Sequence, residues 1–96
     1  MRLTIVPIDN KVVVDNVAKF PLDLSACGIP SNVWALQWYG TEGEIEFDGR
    51  PKPPNEEITA LPEWALACVG VWEAWTPPLP PSATEPQPLT TGTQTL

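Results

Sequence analysis

The sequence contains no histidine, and that single absence removes more function classes than any other feature. Histidine is the commonest general base and metal ligand near neutral pH. Without it Ser25, Ser31 and Cys27 have no imidazole to activate them, and a structural zinc site runs short of ligands. Basic residues are scarce too: five Lys and Arg stand against 12 Asp and Glu, for a net charge of −7. Such a chain repels phosphate backbones and gains nothing from counterion release, which argues against a nucleic-acid partner. Cysteine is limited to Cys27 and Cys68, far from the four, six or eight of a secreted disulfide framework. The pair reads either as two buried thiols acting as small hydrophobes or as one disulfide. No apolar run approaches the roughly 18 residues of a membrane span. The opening MRLTIVPID is too short and too interrupted, by Pro7 and Asp9, for a signal peptide. The expectation is a non-enzymatic protein made in the cytoplasm, with no cofactor, no metal and no membrane contact.

What the chain does have is 13 prolines, six glycines and five tryptophans in 96 residues. That length allows one domain. Each tryptophan can bury roughly 150–250 Å², which supports a small core and leaves aromatic surface for a partner. The composition changes near Thr76. Residues 76–96, TPPLPPSATEPQPLTTGTQTL, hold six prolines, one charged side chain and no aromatic. A segment of this kind fills no core and forms no helix, so an extended tail follows a domain of residues 1–75. Proline fixes φ in advance, so the tail loses little entropy on docking. It is expected to serve as an arm with Leu79, Leu89 and Leu96 as shallow anchors.

Within residues 1–75 the pattern is mostly that of strands. Leu3, Ile5 and the Val12–Val14 run flank a turn at Asp9-Asn10, predicting a hairpin of about 2–6 and 11–15. A further extended stretch spans Val17–Phe20. Val33-Trp-Ala-Leu-Gln-Trp-Tyr is rich in aromatic and branched residues. Thr41-Glu-Gly turns the chain, and Glu44-Ile-Glu-Phe-Asp alternates with period two, completing a second hairpin. After a proline-dense connector from Arg50, a short extended piece at Glu57-Ile-Thr is expected. Pro62 then opens a helix at a tolerated first-turn position, and Pro77-Pro78 stops it. Leu61, Trp64, Cys68, Val71, Trp72 and Trp75 share one helical face, which should pack on the second hairpin through Trp64 and Trp72. Gly70 within that helix suggests a close backbone approach. The fold class is α+β or mainly β: a small antiparallel sheet of two hairpins covered by one C-terminal helix.

Two constellations carry candidate chemistry. Glu42, Glu44, Glu46 and Asp48 alternate, which places four carboxylates on one strand face. Paired-carboxylate glycoside hydrolysis and calcium binding both use such groups. A hydrolase needs a cleft, for which about 75 folded residues are expected to leave little room, and no run of loop ligands around a glycine accompanies the acids, so a solvated strand face is the favoured reading. The second constellation is aromatic. Strand alternation places Trp34, Leu36 and Trp38 on one face, expected as core, and Ala35, Gln37 and Tyr39 on the other. Trp34, Trp38, Tyr39 and the helix-end Trp75 are the candidate partner-binding residues, by protein contact or carbohydrate stacking.

The blocks MRLTIVPIDNKVVVDN, LDLSACGIPSNVWALQWYGTEGEIEF and PPNEEITALPEWALACVGVWEAW, with the closing TTGTQTL, cover most of the chain. Together they resemble small tailed-bacteriophage proteins associated with the tail fibre, as virion tail components or as tail-fibre assembly proteins. The resemblance implies a structural role in the virion tail, with a tail-fibre or baseplate protein as partner and several copies per tail. An assembly chaperone is the alternative it implies, and a carbohydrate-binding module for host-surface recognition is a second. The resemblance also implies longer family members in which the helix continues into an Ala/Glu-rich coiled segment; Pro77 and Pro78 forbid that here.

Overall fold

The structure is a computed structural model and describes residues 1–75; Leu79, Leu89 and Leu96 lie outside the described residues. Strict alternation builds the first hairpin. Strands β1 (Leu3–Val6) and β2 (Lys11–Val14) pair with Leu3 opposite Val14 and Ile5 opposite Val12. All four of those side chains are buried on one face. A single 3-10 turn at Pro7–Asp9 joins the strands, and Asn10 takes a left-handed φ of 50°, which a short polar side chain tolerates. A second turn through Asp15 and Asn16 returns β3 (Val17–Lys19) along β2.

The second hairpin consists of β4 (Val33–Trp38) and β5 (Gly43–Phe47), and β6 (Glu56–Ile58) adds to its far side. The hairpins join into one sheet because β1 also pairs with β4, with Ile5 opposite Leu36 and Leu3 opposite Trp38. The result is a six-stranded antiparallel sheet in the order β3-β2-β1-β4-β5-β6. Placing β1 and β4 side by side at the centre buries Leu3, Ile5 and Leu36 almost completely. The inner face is closed by Leu22, Leu24 and Cys27 from the connection between β3 and β4, and by helix α1 (Glu63–Ala74).

Pro62 occupies the N-cap position rather than the first turn, and its carbonyl accepts the N–H groups of Ala65 and Leu66 at 3.0 and 3.2 Å. At the other end α1 has no basic residue in its last turn. Lys19 supplies the missing cation from β3: its Nζ donates to the carbonyls of Trp72 (2.8 Å) and Trp75 (3.1 Å). It thereby satisfies carbonyls that the helix leaves open, at the negative end of its dipole. The same ammonium lies 4.0 Å from the centroid of the Trp72 ring, a cation–π contact.

These contacts correct the expected docking of α1. Trp72 donates its indole N–H to the Val17 carbonyl on β3 at 2.9 Å, and the helix lies against β2 of the first hairpin. A half-buried indole N–H needs an acceptor, and an edge strand offers one that the paired interior of the second hairpin does not. The small residues Ala65 and Cys68 are the fully buried helix positions, while Trp64, Val71, Trp72 and Trp75 pack half-buried around the core. The close approach expected at Gly70 is also absent, since nothing lies within 4 Å of where its Cβ would stand. Gly70→Ala should therefore raise stability by about 1 kcal/mol through helix propensity alone, measurable as a higher urea midpoint.

Candidate binding surface

The sheet's second face is built from the alternate residues of the same strands. Thr4, Val6, Val13, Gln37, Glu44 and Glu46 are half-buried there, and the Thr4 hydroxyl donates to the Gln37 side-chain oxygen at 2.8 Å. Two aromatic side chains break this modest surface, and each stands beside a cleft at one end of β5.

The first is Trp34, which the structure removes from the face shared by Leu36 and Trp38. Val33 pairs with Phe47 and Ala35 with Glu46, so β4 carries one residue more than β5 across this interval. A bulge of this kind leaves one residue unpaired and re-aims its side chain. Trp34 is consequently 44% exposed, whereas Trp38 is 8% exposed and belongs to the core. Trp34 lines a cleft of about 280 Å³ with Glu46, Phe47, Asp48, Gly49 and Lys52. The backbone N–H of Asp48 donates to the Asn32 carbonyl at 2.8 Å, which anchors the loop beyond β5. Gly49 lets that loop fold back tightly, since a Cβ there would stand 3.0 Å from Pro53 Cδ. The fold-back brings Lys52 to the cleft.

Tyr39 marks the other end of β5. It is 48% exposed and begins the β4–β5 turn, its N–H donating to the Glu42 carbonyl at 2.8 Å. Its cleft, about 260 Å³, is lined by Glu42, Gly43, Glu44, Glu57, Ile58 and Thr59 as well. The Arg2 guanidinium lies 5.5 Å from the Tyr39 ring centroid, and Asn55 donates to a Glu44 carboxylate oxygen at 2.9 Å. The acidic ladder thus separates: Glu44 and Glu46 are half-buried on β5, while Glu42 and Asp48 are exposed beyond its two ends. Among the described residues no three His, Cys, Asp or Glu side chains converge as a metal ion would require.

Of the sequence candidates, Trp34 and Tyr39 reach the surface on separate clefts, and Trp38 does not reach it. Trp75 packs half-buried against the core with its carbonyl bound by Lys19. Sequence reasoning treated Glu46 and Asp48 as a solvated face and passed over Lys52. The signal was Gly49 followed by a proline-dense stretch, which returns a loop upon itself. A third exposed aromatic, Phe20, was missed as well; Lys11 Nζ stands 5.4 Å from its ring centroid.

Cys27 and Cys68 are unbonded and buried. They are neighbours in the core, and the Cys68 thiol is pushed up to about 12, first by burial and then by its hydrogen bond and charge interaction with Cys27. The native state therefore holds the Cys68 proton more tightly than the unfolded chain does. Stability from this source is complete below pH 9.0, the ordinary thiol value, and falls as pH rises from there towards 12. Denaturation midpoints measured across that window should decline, and Cys68→Ala should flatten the decline.

Compared with protein-family models, curated proteins and solved structures, the chain matches none. Among the described residues no helix is long and apolar enough to cross a membrane.

Proposed function

We propose that this protein is a non-catalytic structural component of a bacteriophage tail, docking onto the tail-fibre or baseplate protein as a small adaptor. The reading rests on the resemblance of its sequence blocks to small tail-fibre-associated phage proteins. The observation that carries it furthest is the presence of Tyr39, a large aromatic left about half exposed beside a cleft at one end of β5. Exposed Trp and Tyr are common anchors in protein contacts. An acidic, histidine-free surface supports binding work over proton-transfer work. Mass spectrometry of purified particles tests the proposal: the chain should be found in virions at a fixed ratio to the fibre or baseplate protein. Its absence from particles, with fibres failing to form when its gene is removed, would replace the adaptor by an assembly chaperone.

A further inference from the structure

We infer that the cleft beside Trp34 is a binding site for a neutral saccharide, with the indole as stacking platform. The bulge in β4 removes from the core a residue that regular alternation would bury next to Leu36. Exposing a large apolar ring in this way costs burial free energy, and bulges are over-represented beside functional sites for their power to re-aim a side chain. The surroundings of the ring define what it can hold. Glu46 and Asp48 bring carboxylate acceptors to the same cleft, and Lys52 brings an ammonium donor.

Alternative ligands fit this set poorly. A phosphate or other anion would face two carboxylates against one lysine. A metal ion would find only two carboxylates and no third ligand of its kind among the described residues. A pyranose satisfies every group present. Its ring C–H face meets the negative π face of the indole, and its hydroxyls donate to the carboxylates and accept from Lys52. The cleft volume of about 280 Å³ is of small-molecule size, near the lower end of the usual range of roughly 300–1,000 Å³. This chemistry does not depend on which assembly carries the chain.

The test is a titration of the full-length protein with neutral oligosaccharides of glucose, galactose and N-acetylglucosamine, followed through the tryptophan indole N–H signals by NMR. The Trp34 signal is identified as the one missing from Trp34→Ala, and the four remaining indole signals, if they keep their dispersed positions, report that the fold persists. With at least one sugar series the Trp34 signal should shift to saturation while the Trp38 signal stays in place. Affinity for that sugar, measured by isothermal titration calorimetry, should fall by about ten-fold or more in Trp34→Ala, and also fall in the Glu46→Gln, Asp48→Asn double variant. A Trp34 signal that moves with none of the three series overturns the proposal. So does sugar binding that survives Trp34→Ala undiminished.

Discussion

Trp38→Ala should lower stability by about 3–5 kcal/mol, the usual cost of deleting a large buried aromatic, while Trp34→Ala, four residues earlier on the same strand, should cost under about 1 kcal/mol. Trp38 stands opposite Leu3 on β1 and Gly43 on β5, within the core shared by both hairpins. Removing it opens a cavity where the two hairpins meet, so the loss weakens both. A cost of that size approaches the whole stability of many small domains. Trp34 is 44% exposed on the bulge, so its truncation takes little from the core. Urea denaturation of the two variants side by side checks the contrast. Equal losses would mean that the bulge does not turn Trp34 out of the core.

Gly43→Ala should be nearly as damaging, at about 3 kcal/mol, although it adds only one methyl group. A Cβ at Gly43 would collide with the Gln37 carbonyl oxygen and stand 2.9 Å from Trp38 Cα. Both are backbone atoms of the neighbouring strand, so no side-chain rotation relieves the overlap, and strands β4 and β5 must separate locally. Overpacking of a rigid site costs about 1–3 kcal/mol and occasionally more. The same substitution at Gly70 meets open space and should shift the urea midpoint in the opposite direction. A Gly43→Ala midpoint equal to that of the unaltered protein would refute the close approach of β4 and β5 at this point.

The elements themselves were legible in the sequence, because their signals are local. The alternation of Leu3 with Ile5 and of Val12 with Val14 marks the first hairpin. Glu44-Ile-Glu-Phe marks β5, and Pro62 ahead of an apolar periodicity marks the helix. Each signal is a side-chain period over a few residues, which backbone geometry converts directly into a strand or a helix. Tertiary structure decided the pairing of β1 with β4 that merges two hairpins into one sheet. It decided which hairpin the helix covers, through the reach of Lys19 and Trp72 across more than fifty residues, and the adjacency of Cys27 to Cys68. It also decided the direction in which Trp34 points. Period-two alternation assigns Trp34 to the core face, and the assignment fails for one reason: a bulge exists only relative to a partner strand. Val33 and Ala35 keep their pairing with Phe47 and Glu46, and the residue between them is left over and turned outward.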